Sequence, residues 1–229
     1  MGRPVRVIRI VQPVILVVLP AIMLLWAWLK LPSAALVTSV CACAGLVPFF
    51  VGFEKSRRRA RDLMPVVILT ALAVAGRLVF APVPAIKPII ALVVMGGLCF
   101  GREEGFMVGA LAMLVSNVFF GQGPWTPWQM FSMGLVGYLA GVLGSHGWLV
   151  RRWSVAVFGA AMALLYGFIL DTWTFVGFVS NANAANVLTT YATGLATNAA
   201  SAIGTVAFLL PIAHSWPRIF GRIKERYLT

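Results

Sequence analysis

The chain is a succession of apolar stretches separated by short polar or turn-forming breaks. Eight stretches qualify as candidate membrane-crossing helices, at roughly 11–29, 34–53, 64–80, 86–100, 105–120, 128–144, 153–176 and 188–213. A helix needs about 20 mostly apolar residues to cross the hydrocarbon layer, and 86–100 and 105–120 are the short candidates. The pattern predicts an all-α, polytopic membrane helical bundle. Residues 1–62 hold two spans and a basic linker, and residues 63–229 hold six spans and a basic tail. The first span is too long for a cleaved signal, a second follows closely, and Leu31-Pro32-Ser33 is a poor small-x-small cleavage site.

Composition agrees with this pattern. The chain of 229 residues is 61% hydrophobic and 10% charged, whereas a soluble domain is about half apolar and about a quarter charged. Cys41, Cys43 and Cys99 lie inside apolar runs and read as small packing residues; neither a disulfide framework nor a metal site is expected. The net charge of +12 by itself would fit nucleic acid, but its placement explains it better. Sorted by the gaps between spans, fifteen of the 18 Lys and Arg fall on one side. They are Arg3, Arg6, Arg9, Lys55, Arg57, Arg58, Arg59, Arg61, Arg102, Arg151, Arg152, Arg218, Arg222, Lys224 and Arg226. Lys30, Arg77 and Lys87 fall on the other. Basic residues concentrate on cytoplasmic loops, so both termini are expected in the cytoplasm and no nucleic-acid partner is expected. The run Glu54–Asp62 then faces anionic lipid headgroups.

This orientation places the polar, aromatic and uncharged connections outside. The densest is Gly121-Gln122-Gly123-Pro124-Trp125-Thr126-Pro127-Trp128-Gln129-Met130. Trp stacks on flat or apolar surfaces, Gln donates and accepts hydrogen bonds, and Pro and Gly fix an irregular backbone. The connection Gly177–Asn186 supplies Asn183, and the one after Phe80 leads to Lys87. Polar side chains within spans crowd toward the same half: Arg77, Asn117, Gln129 and Asp171, with Asn198 the deepest at about 15 Å by the helical rise. Such groups are costly in lipid and mark function or interhelical bonding. One reading is an outward-opening cavity lined by these five. The other has Arg77 snorkelling to headgroups, Asn117 and Asn198 bonding between helices, and Trp125, Trp128 and Trp173 forming an interfacial belt. Asp171 and Arg77 are candidates to pair across the bundle. Small-xxx-small spacings at Ala71/Ala75, Gly97/Gly101, Gly105/Gly109, Gly137/Gly141 and Ala156/Ala160 read mostly as internal packing.

Catalytic signatures are missing. There is no Gly-x-x-x-x-Gly-Lys-Ser/Thr phosphate loop, no Gly-x-Ser-x-Gly and no His-Glu-x-x-His. Asp171 is the sole acid within a span, so a proton-relay chain is not expected either. An outward pocket without an energy source of its own reads as a binding subunit driven by another protein, and not as an enzyme.

The region from about Leu63 to Pro211 resembles the substrate-specific S component of an energy-coupling factor (ECF) vitamin transporter. The resemblance rests on Ala71–Arg77, Lys87-Pro88, Gly101–Gly109, the Gly121–Met130 segment and Gly134–Gly141. It implies a six-helix core that binds a vitamin or its precursor from outside, with external loops closing over it. It further implies a membrane-coupling T subunit and two ATPase subunits as partners, a prokaryotic cell membrane, and delivery by toppling within the bilayer. Small residues on the first core helix of such proteins contact the T subunit, here Ala71 and Ala75. The two N-terminal spans depart from the six-helix pattern. The expected substrate contacts are Arg77, Lys87, Asn117, Gln122, Trp125, Trp128, Gln129, Asp171, Trp173, Asn183 and Asn198, with no cofactor. The Trp-rich segment is most similar to cobalamin-related S components, which ranks cobalamin or a related corrinoid first and riboflavin or another flat vitamin second. A membrane assembly protein that binds a partner through the external Trp segment is the competing class.

Overall fold

The computed structural model describes residues 12–18, 21, 33–55, 60–179 and 183–223. All the regular structure among these residues is helical: α1 over 12–18, α2 Ala34–Lys55, α3 Ala60–Val79, α4 Ile89–Phe100, α5 Arg102–Phe120, α6 Thr126–Ser145, α7 Arg152–Phe178 and α8 Ala184–Ile223. Most of the expected first span, Lys30, Arg57–Arg59, residues 180–182, and Lys224 and Arg226 lie outside the described residues. Among the described residues four segments are long and apolar enough to cross a membrane by length and composition: Ala35–Lys55, Arg102–Phe120, Arg152–Phe178 and Ala184–Trp216. Leu63–Val79 and Ile89–Phe100 are apolar but shorter. The chain is a polytopic helical membrane protein.

Three boundaries differ from the sequence expectation, each for a local reason. α4 has 12 residues, about 18 Å at the helical rise and short of the roughly 30 Å hydrocarbon layer. Its first nine residues, Ile89–Gly97, are all buried, so neighbouring helices and not lipid surround it. It is apolar all round, as an encased helix must be. α5 begins at Arg102, ahead of the expected 105, because one residue makes the whole turn from α4. That residue is Gly101 at φ 116°, a backbone conformation that only glycine adopts without strain. α8 runs from Ala184 to Ile223, well past the apolar segment at both ends.

Glycines set the spacing of α4, α5 and α6. A Cβ at Gly105 would meet the Gly137 backbone carbon at 2.8 Å, and one at Gly109 would meet the Gly134 nitrogen at 2.9 Å. A Cβ at Gly97 would likewise run into the backbone, at the Gly137 carbonyl oxygen and, at 2.9 Å, the Gly141 nitrogen. These small-xxx-small pairs pack inside the bundle, where backbones approach without intervening side chains. Phe106, Met95, Met113 and Met133 fill the centre and are fully buried.

The helices before residue 62 are not peripheral. α2 packs on α5, α6 and α7. Its Phe49 is buried and stacks on Phe106 with ring centroids 3.7 Å apart. At the other end of α2, Ser39 Oγ donates to the Pro124 carbonyl at 2.9 Å. Along α3, by contrast, Val67, Ile68, Ala71, Leu72 and Ala75 are exposed and form an uncovered apolar face.

Candidate functional site

A cavity of about 350 Å³ lies among the six helices α3–α8, and every one of them contributes to its wall. It sits in the half that holds the 80–88 and 121–125 connections, the half that the charge rule makes external. α3 and the 80–88 connection supply Arg77, Ala85 and Lys87; α4 supplies Ile89 and Ile90; α5 and α6 supply Met113, Gln129 and Met133. α7 contributes Ala163, Tyr166, Gly167, Leu170 and Asp171, and α8 contributes Gly194, Thr197, Asn198 and Ser201. The last two sets recur at three- and four-residue intervals, as one face of a helix requires.

Two polar arrays hold the wall. On the α3 side Arg77 donates from Nη1 to Asn117 Oδ1 at 2.8 Å and to Ser116 Oγ. Asn117 Nδ2 donates to Gln129 Oε1 at 2.6 Å and to Thr126 Oγ1 at 3.2 Å. Thr126 Oγ1 in turn donates to Gln122 Oε1 at 2.9 Å, and Gln122 Nε2 closes the array on the Leu114 carbonyl at 2.9 Å. Arg77 and Lys87 also lie over the Phe120 ring, at 4.5 Å and 5.2 Å from its centroid. Lys87 stands in the connection outside the helices. Burial, and then the nearby Arg77 charge, pull its ammonium below the ordinary lysine value.

Across the cavity, Asn198 Nδ2 donates to Asp171 Oδ2 at 2.7 Å. Two glycines make that bond possible. A Cβ at Gly167 would fall 2.7 Å from Asn198 Nδ2, and one at Gly194 would fall 2.6 Å from Asp171 Cγ. Each helix therefore carries a socket for the polar side chain of the other. In place of the candidate Arg77–Asp171 pair there are separate partnerships: Arg77 bonds to Ser116 and Asn117, and Asp171 bonds to Asn198.

The eleven expected contacts separate cleanly. Arg77, Lys87, Gln129, Asp171 and Asn198 line the cavity. Asn117 is 1% exposed and stands behind the wall, where it orients Arg77 and Gln129. Gln122 braces the 121–125 turn from outside the cavity. Trp125 belongs to the rim of a separate cluster of Trp128, Trp173 and Ala42. Trp128 and Trp173 are buried at 4% and 5% exposure with ring centroids 5.9 Å apart, wedged where α2 meets α6 and α7. Asn183 starts α8 by accepting from the Asn186 backbone N–H at 2.8 Å. Trp128 and Trp173 form a clamp between helices. Tyr166, Thr197 and Ser201 were missed; their shared helical faces with Asp171 and Asn198 are the signal that finds them. Among the described residues there is no cluster of His, Cys, Asp or Glu that could hold a metal ion.

A family model described as "ECF-type riboflavin transporter, S component" matches residues 58–215, well over half of the chain. No curated protein and no solved structure shows significant similarity to it.

Proposed function

The chain belongs to the ECF-type riboflavin transporter S-component family, and on that premise we propose that it captures one vitamin-sized molecule from outside the cell and passes it inward as the binding subunit of an importer. The observation that carries this reading is the cavity itself. Its volume of about 350 Å³ falls at the lower end of the roughly 300–1,000 Å³ typical of small-molecule sites. Apolar side chains make much of its wall, and a few polar groups (Arg77, Lys87, Gln129, Asp171 and Asn198) converge on it, the pattern expected of a specific small-molecule site.

Size also orders the cargo. A flat three-ring vitamin such as riboflavin, the cargo in the family's description, suits such a volume. A corrinoid with its amide arms is several times larger, so cobalamin falls to second place. In this reading Met113, Met133, Ile89 and Ile90 hold the ring faces, while Gln129, Asp171 and Asn198 take its polar edge. Asn117 and Gln122 act through the residues they brace.

Energy comes from elsewhere, because the chain has no phosphate-binding loop. The exposed α3 face with Ala71, Leu72 and Ala75 is the docking face for the T subunit, where small residues let a partner helix approach closely. The two ATPase subunits act through that contact, and the protein resides in the cell membrane. Burial of Trp128 argues against the assembly-protein alternative, which needs the Trp125 and Trp128 rings free on the outer surface.

The decisive experiment is mass spectrometry of small molecules retained by the purified full-length chain, followed by calorimetry with riboflavin and cobalamin. A retained vitamin that binds stoichiometrically is the expected result. Protein that retains nothing and binds neither refutes the reading.

A further inference from the structure

The charges of the cavity do not balance. Its wall carries Arg77, Lys87 and one carboxylate, Asp171. The chain has six acidic residues in all. Glu54, Asp62, Glu103 and Glu104 stand at helix ends on the opposite, basic side, and Glu225 follows α8. Among the described residues Asp171 is the one acid in this half of the bundle, and Asn198 already bonds it on the far wall. Arg77 spends hydrogen bonds on neutral Ser116 and Asn117. Lys87 and Arg77 both lie over the Phe120 ring, so two like charges stand at the α3–α4 corner. Among the described residues neither cation has a carboxylate within ion-pair reach. Partly buried like charges without a counter-ion are unfavourable, and a bound anion relieves both the repulsion and the desolvation.

We propose that the cargo carries an anionic group, a carboxylate or a phosphate monoester, which sits between Arg77 and Lys87 at the Phe120 corner while the rest of the molecule lies along the α7–α8 wall. This deepens the vitamin-binding reading and rests on it. The lowered basicity of Lys87 agrees with a cation waiting for its counter-ion. A neutral vitamin leaves that corner uncompensated, so charge and ring shape together set specificity.

The test uses the full-length chain, stripped of retained ligand, in nanodiscs. Calorimetry compares three pairs that differ in one ionised group: riboflavin with its 5′-phosphate, pantothenol with pantothenate, and biotinamide with biotin. For whichever scaffold binds, the anionic member is expected to bind at least about tenfold tighter, equivalent to about 1.4 kcal/mol. Lys87→Gln is expected to bring that ratio close to one. Equal or tighter binding of the neutral member overturns the proposal, as does an unchanged ratio in Lys87→Gln. Phosphatidylglycerol and phosphatidylcholine nanodiscs distinguish the source of the anion. A preference that persists in both belongs to the cargo; one lost in phosphatidylglycerol means that a lipid headgroup fills the corner, and the proposal falls. If neutral riboflavin alone binds, the vitamin reading stands and only the charge assignment fails. If no member of any pair binds, the charge assignment fails, and the vitamin reading fails with it only when cobalamin does not bind either.

Discussion

Gly194→Ala adds one methyl group to α8, and its effect has a sign that local propensity alone gets wrong. In a helix interior Ala is favoured over Gly by about 1 kcal/mol. At this position, however, the new Cβ would lie 2.6 Å from Asp171 Cγ, on the carboxylate that fills the gap between α7 and α8. The carboxylate must turn away, which breaks its 2.7 Å bond from Asn198. Overpacking costs about 1–3 kcal/mol, and an interhelical hydrogen bond in a membrane protein contributes about 0.6–1.7 kcal/mol. Set against the propensity gain, the net loss is about 0.6–3.7 kcal/mol. Gly221→Ala in the same helix is the control, since a Cβ there meets nothing within 4 Å and should raise stability. Thermal unfolding in detergent, followed by tryptophan fluorescence, reads both. The two glycine substitutions are expected to shift the midpoint in opposite directions. A cycle with Asp171→Ala isolates the cause: without the carboxylate, Gly194→Ala should become neutral or stabilising. A Gly194→Ala protein that melts at or above the wild type refutes the socket. So does an unchanged penalty in the Asp171→Ala background.

Three further outcomes follow from the other packing assignments. Trp128→Ala removes a ring that is 4% exposed and wedged against Trp173 and Ala42, so it should cost about 3–5 kcal/mol of stability, far more than Trp148→Ala at 71% exposure; equal melting shifts for the two would contradict the clamp. Asn117→Ala severs bonds to Arg77, Gln129 and Thr126, and should both weaken cargo affinity and speed proteolysis of the 121–125 turn; tight binding with unchanged cleavage would show that Asn117 braces neither. Ser39→Ala loses the bond to the Pro124 carbonyl, about 0.5–1.5 kcal/mol, and should accelerate amide hydrogen exchange at Gly123 and Thr126; unaltered exchange would mean that α2 does not restrain the turn.

What the sequence reveals depends on how much each residue's energy is decided locally. Spans such as α2 and α7 are legible because about 20 apolar residues leave the backbone little choice but a helix in lipid. Arg77, Asp171 and Asn198 are legible as inward-facing for a related reason: lipid makes a polar side chain expensive, so it turns to the bundle interior. Aromatic and amide side chains of a connection carry no such constraint. Trp128 is stable against a ligand, a headgroup or another helix, and only the position of α2, fixed by Phe49 on Phe106 and Ser39 on Pro124, decides for the third. Gln122 is settled the same way, by where Leu114 and Thr126 happen to stand. The glycines are harder still. Gly97, Gly105 and Gly137 have the spacing of close backbone contact and make it, whereas Gly167 and Gly194 instead receive Asn198 and Asp171. A missing side chain on one helix is the space a polar side chain on the next one needs, and spacing along a single helix cannot say which neighbour claims it. That complementarity keeps a carboxylate and an amide bonded to each other between helices, at the wall of the cavity.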